Sequence, residues 1–145
     1  MVDVSEKPPS ARQAVASGVL RTTEEVVRLL RAEQLPKGDA LGTARVAGIM
    51  GAKRTPDLVP LCHPIALSGV SVELHAEGSE VRIEATVRTT DRTGVEMEAL
   101  TAVAVAGLAL HDMVKAVDPA AVLDAVRVER KEGGKTGLWT RPEGR

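Results

Sequence analysis

Aromatic residues are almost missing from this chain: one Trp, no Phe and no Tyr in 145 residues. Single-strand nucleic-acid binders stack bases on aromatic platforms, and this sequence offers almost none. The formal net charge is −1, so no global field draws the protein to nucleic acid or to an anionic membrane. Cys62 is the single cysteine, which excludes an intramolecular disulfide and a multi-thiolate zinc site. His63, His75 and His111 fall on different segments without the close spacing of zinc ligands, so no metal site is expected. The longest apolar run, Ala99 to Leu110, is broken by Thr101 and is shorter than the roughly 20 residues a spanning helix needs. The opening "MVDVSEKPPS" lacks an apolar core and does not read as a signal peptide. The expectation is a cytoplasmic protein engaging neither nucleic acid nor membrane.

What is present suits one globular domain over residues 1–145, with 43% hydrophobic and 27% charged residues. "ARQAVASGVLR" (Ala11 to Arg21) carries Gly18 and is read as a strand. "TTEEVVRLLRAEQ" has Thr22 three residues before Glu25, a capping-box spacing, with Val26, Leu29 and Leu30 at helical intervals. "LPKGD" breaks that helix, Asp39 caps a second, and Pro56 ends it. The period then changes to two. Val70, Val72 and Leu74 oppose Ser71, Glu73 and His75; after "EGSE", Val81, Ile83, Ala85 and Val87 oppose Arg82, Glu84, Thr86 and Arg88. That is an antiparallel hairpin with one wet face. A long helix from about Val95 to Val117 follows, with Thr93 as its cap and Glu96 three residues on, and "AVRVERK" alternates again. The order β-αα-ββ-α-β is that of a ferredoxin-like α+β fold, an antiparallel sheet packed against helices.

The long helix is apolar nearly all round its middle, which predicts burial on more than one side and suggests another subunit. Its charges gather at the ends. Asp112 and Lys115 are neighbours at i, i+3, an arrangement that is ordinarily just an exposed ion pair. Glu98 shares their stripe but lies roughly 21 Å away along the axis. The substrate is therefore extended, or the two ends serve different sites. Glu96 reads as a cap, and Glu98 on a dry helix asks for another explanation.

Two decoys are set aside. "GGKTG" (Gly133 to Gly137) resembles a phosphate loop, but Glu129 stands where that motif needs Gly and no helix follows. A glycine-rich loop with Lys135 can still cradle an anion through backbone N–H groups. Lys37 precedes a helix N-terminus, where the dipole favours anions, while Lys53 and Arg54 complement the other end. Met97 suits packing. In "LVPLCHPIAL", Cys62 and His63 would point apart if the segment were a strand. A lone buried Cys is usually a small hydrophobe, which leaves His63 as the better proton carrier.

Three blocks taken together, "KGDALGTARVAGIMGAKRTPDLVPLCHPIAL", "TGVEMEALTAVAVAGLALHDMVKAV" and "GGKTG", resemble the molybdenum cofactor biosynthesis protein C (MoaC) family, the cyclic pyranopterin monophosphate synthases. The resemblance implies a ferredoxin-like subunit in a homohexamer, a trimer of dimers with active sites at subunit interfaces. It implies conversion of a 3′,8-cyclised dihydroguanosine triphosphate to cyclic pyranopterin monophosphate with release of diphosphate. No redox cofactor is implied, although Mg²⁺ can accompany the triphosphate. By the same resemblance Asp112 is the acid/base residue with Lys115 beside it, and His63 joins them. Leu61, Cys62, His63, Met97 and Glu98 contact substrate, with Glu96 next to them. Lys37, Lys53 and Lys135 match lysines of the active-site region, and Arg12 an arginine from a neighbouring subunit.

Overall fold

Alternating apolar residues in four segments build one antiparallel sheet, seen in a computed structural model that describes residues 1–145. The strands are β1 (Ser10–Arg21), β2 (Leu67–Glu77), β3 (Glu80–Asp91), β4 (Val122–Glu132) and the two-residue β5 (Trp139–Thr140). Their order across the sheet is β2-β3-β1-β4-β5. Apart from the added β5, this is the ferredoxin-like arrangement expected. In register, Ala14 faces Val87, Ala16 faces Ala85 and Leu20 faces Val81, while Val72 faces Ala85 and Leu74 faces Ile83. These residues are all buried on the helix-covered face, each larger aliphatic side chain contributing about 1.5–3 kcal/mol. Arg82, Glu84, Arg88, Glu73 and His75 point to the other, exposed face. β4 bulges against β1, where Ala125 takes a positive φ of 53°.

Four helices complete the chain: α1 (Glu24–Arg31), α2 (Ala40–Lys53), the short α3 (Thr55–Leu58) and α4 (Glu96–Val114). α4 is the core helix, lying on β1, β3 and β4 with α2 along its side. Close approach of α2 to α4 depends on glycine. A Cβ at Gly51 would stand 2.8 Å from the Val105 side chain, and one at Gly48 would stand 2.9 Å from the Ala102 carbonyl. By length and apolarity alone α4 qualifies to cross a bilayer, contrary to the shorter run counted in the sequence, because the helix extends past both ends of that run. Half of it is buried inside the protein, as expected of a core helix.

Several boundaries differ from the sequence reading. Thr23, not Thr22, caps α1 by accepting from the Val26 N–H; the Thr22 hydroxyl donates to Asp118 instead. Thr93 does not cap α4, which is entered through Val95 without a side-chain cap and stops at Val114 rather than Val117. Glu96 is therefore no part of a capping box. Asp39 does cap α2, accepting from Gly42 N–H at 2.9 Å. Pro56 opens α3 rather than simply ending α2, since a helix's first turn has no use for its missing N–H.

The outer edge of the sheet, β2, is covered by arginines from two helices. Arg31 Nε donates to the Ala76 carbonyl and Arg45 Nε to the Val72 carbonyl, each at 3.0 Å.

Candidate active site

The candidate residues gather into three groups around the sheet end and the two ends of α4. At the C-terminal end of α4, the turn after Met113 brings Lys115 back one helical step from Asp112. The loop before α2 delivers Lys37 from 75 residues away. Lys37 Nζ meets Asp112 Oδ2 at 2.7 Å, and Lys115 Nζ meets Oδ1 at 2.8 Å. All three side chains are about half exposed. Hydrogen bonds from Lys115 first, then Lys37, hold the Asp112 carboxyl down at about 2. This is more than the helical ion pair the i, i+3 spacing suggests. A carboxylate gripped by two ammonium groups offers a cationic rim to an anion and a base that strengthens when that anion draws the lysines away.

The second group lies near the N-terminal end of α4. Residues 61–66 run outside any strand, because Pro60 and Pro64 remove backbone donors there. The segment leads into β2 without being part of it, and Cys62 and His63 diverge. Cys62 Sγ donates to Glu98 Oε1 at 3.7 Å. His63 Nε2–H donates to the Val2 carbonyl at 2.7 Å, since a carbonyl only accepts. Glu98 is 2% exposed, and its Oε2 has no partner. Burial raises the Glu98 carboxyl above its ordinary value, and burial followed by the Glu98 charge raises the Cys62 thiol. A thiol pushed upward is a poor nucleophile at neutral pH. Leu61 and Met97 are exposed beside this pair.

The third group joins the first strand to the loop after β4. Arg12 and Lys135 line a cavity of about 470 Å³ with Lys7, Pro8, Ser10, Gly134 and Thr136. Arg12 Nε donates to the Asp91 carbonyl at 3.3 Å. Gly133 lies so close to the Ala11 carbonyl that no Cβ fits there, and Gly134, beside the Arg12 guanidinium, takes a positive φ of 74° that side chains rarely adopt. Glu96 adjoins this cavity through Lys131, whose Nζ meets Glu96 Oε1 at 2.8 Å.

The structure thus unites Lys37 with Asp112 and Lys115, Cys62 with Glu98, and Arg12 with Lys135. The Cys62–Glu98 pair and the Glu96–Lys131 pair share the N-terminal end of α4, while the Asp112 group stands at its other end, and Lys53 closes α2 as an exposed side chain outside all of them. Sequence reasoning missed the Lys37–Asp112 bond, the Cys62–Glu98 bond and the Lys131–Glu96 pair. The one available signal was Glu98 itself, a carboxylate on a dry helix face.

Comparison with known proteins gives a consistent result. The MoaC family model matches residues 1–134. A Streptomyces coelicolor protein named cyclic pyranopterin monophosphate synthase is 66% identical over 141 residues, covering 97% of this chain and 83% of its own length. Cyclic pyranopterin monophosphate synthase 2 of Mycobacterium tuberculosis is 62% identical over 141 residues, covering 97% and 84%. A Corynebacterium efficiens protein of the same synthase name is 56% identical over 140 residues, covering 97% and 90%.

Proposed function

The chain belongs to the MoaC family, and from that premise we propose that it is a cyclic pyranopterin monophosphate synthase, a lyase of molybdenum cofactor biosynthesis. Its substrate is (8S)-3′,8-cyclo-7,8-dihydroguanosine 5′-triphosphate. The products are cyclic pyranopterin monophosphate and diphosphate. The observation that carries the reading beyond family membership is Asp112 held between Lys37 and Lys115 at the end of a buried helix.

The reaction opens and recloses rings, which requires protons to be taken up and returned at several atoms. It also closes a cyclic phosphate: a substrate hydroxyl attacks the α-phosphorus, loses its proton, and the bond to the bridging oxygen breaks as diphosphate leaves. In the resting protein the two lysines make Asp112 a weak base. When substrate oxygens draw Lys37 or Lys115 toward themselves, Asp112 loses the bonds that depress it and becomes the acceptor, with Lys115 returning the proton. His63, whose Nε2 holds the Val2 carbonyl, supports these transfers through its other ring nitrogen. Lys37, Lys135 and Arg12 neutralise phosphate charge as it moves onto the leaving group. Leu61, Cys62 and Met97 form the apolar wall at the pterin end, with Glu98 behind it. The chemistry calls for no redox cofactor, and any Mg²⁺ arrives with the triphosphate.

Glu98 and Asp112 lie at opposite ends of α4, roughly 21 Å apart along its axis, so the site is completed between copies in a homohexamer, a trimer of dimers. Val46 and Met50 of α2, Leu108 of α4, and Leu58 and Leu61 are large exposed apolar side chains available for that assembly. The enzyme works in the cytoplasm on a nucleotide-derived substrate.

The deciding experiment incubates the protein with the cyclised triphosphate and measures diphosphate and the cyclic phosphate product, alongside its mass in solution. Stoichiometric diphosphate from a hexamer supports the reading. A folded protein that binds the triphosphate but releases no diphosphate would instead be a nucleotide- or pterin-binding module.

A further inference from the structure

The last residues of the chain do something the family match does not cover. That match stops at residue 134, yet the chain continues in ordered contact with the sheet. Trp139 pairs with Lys131 and Thr140 with Arg130, making β5 an outer strand on β4. Arg141 then clamps the tail. Its backbone N–H donates to the Glu129 carbonyl at 2.8 Å, its Nε donates to the Val128 carbonyl at 2.7 Å, and its Nη1 donates to the Arg145 carbonyl at 3.2 Å. The guanidinium also lies 3.9 Å from Glu129 Oε2 and 5.9 Å from the centre of the Trp139 ring. The Arg141 side chain is 25% exposed, unusually enclosed for an arginine four residues from the end of the chain.

The consequence falls on the intervening loop. Without β5, the residues after Glu132 would be a free end, and Lys135 would sample a wide volume at an entropic cost on binding. With β5 docked, Gly133 to Leu138 becomes the turn of a hairpin anchored on both sides. Its start is pressed against Ala11 and Arg12 at Gly133 and Gly134, and Gly137 N–H reaches the Gly134 carbonyl at 3.4 Å. Lys135 is thereby kept in the cavity wall opposite Arg12.

We propose that the C-terminal tail, Leu138 to Arg145, is a strap that holds the Lys135 loop over the Arg12 cavity, and that Arg141 is its positioning residue. The proposal rests on the reading of Lys135 as a phosphate ligand. Arg141 itself touches no substrate; it acts by making Lys135 ready before the anion arrives.

The test uses the whole chain with Arg141→Ala, a chain ending at Gly137, Lys135→Ala, and the Lys135→Ala/Arg141→Ala double variant. Binding of inorganic triphosphate is measured by calorimetry, and diphosphate release gives KM and kcat. Docking of the tail is read from fluorescence of Trp139, the protein's only tryptophan, and from amide exchange at Trp139 and Arg141. In Arg141→Ala the tail amides lose protection, triphosphate affinity and KM worsen by about tenfold, and kcat stays within about twofold. The truncated chain shows at least the same loss. In the Lys135→Ala background the Arg141 change adds less than about twofold, because the residue it positions is gone. Unchanged triphosphate affinity in both Arg141→Ala and the truncated chain overturns the proposal. So does a full, additive Arg141 effect without Lys135. If the intact protein released no diphosphate, the catalytic reading would fall, while triphosphate binding and tail exchange would still judge the strap.

Discussion

The two ends of α4 carry carboxylates in opposite physical states. Glu98, on the first turn, is sealed in the core beside a thiol, with one oxygen unpartnered and its carboxyl raised by burial. Asp112, on the last turn, stands in solvent between two lysines and is held at about 2. One helix therefore offers a group that resists ionising and a group that resists protonation. Environment, not residue type, makes the difference, and such divergence commonly marks separate roles in one reaction. Exposure makes Asp112 available to substrate. Burial makes Glu98 a support for the Cys62 segment.

The contrast can be broken most severely at the exposed end. Asp112→Asn and Lys115→Ala should each lower diphosphate release by about 10²–10⁴-fold, while loss of the solvent-exposed ion pairs lowers the thermal midpoint at neutral pH only slightly. Retention of near-normal turnover by both, in folded protein, would remove them from the chemistry. The connection between the ends is tested in the middle, where Gly51 meets Val105. Gly51→Leu should cost about 1–3 kcal/mol in urea unfolding, because the helices cannot separate without losing their packing.

Titration sharpens the comparison. Because Glu98's folded pKa is raised, its contribution is fully present below the unfolded value and is lost as pH rises through the folded one. Wild-type stability relative to Glu98→Gln should fall across that window, by at most about 1.4 kcal/mol per pH unit. Asp112's folded pKa is lowered, so its contribution is present above the ordinary carboxylate range and disappears as pH falls toward about 2. The stability gap between wild type and Asp112→Asn should therefore be constant above the ordinary carboxylate range and close only in acid. The smallest effect belongs to Cys62→Ala, which should keep turnover within about threefold if the thiol serves packing. A loss of hundreds-fold would make it a reactive group.

Much of this architecture was legible as periodicity. The hairpin's alternating residues named its buried face correctly, because a strand with one wet side leaves no other register. The caps were harder. Thr22 and Thr23 both precede glutamates, and only backbone angles decide which hydroxyl reaches a helix N–H. Thr93 has suitable spacing, but the chain enters α4 through Gly94 and Val95 on a path that leaves it out. At the site, Asp112 and Lys115 were readable as helical neighbours. Lys37 was not, since 75 residues separate it from Asp112 and only the fold closes that distance. The same holds for Cys62 and Glu98, 36 residues apart.

The arginines over β2 also bear on how copies of the protein can and cannot join. An exposed strand edge invites another strand, and repetition of that pairing leads to fibres. Arg31 and Arg45 already occupy the Ala76 and Val72 carbonyls, and a guanidinium keeps its charge at any pH the protein meets. A second sheet approaching there would have to displace two charge-assisted bonds before forming its first backbone pair. Growth into filaments through this edge is thus discouraged across the pH range.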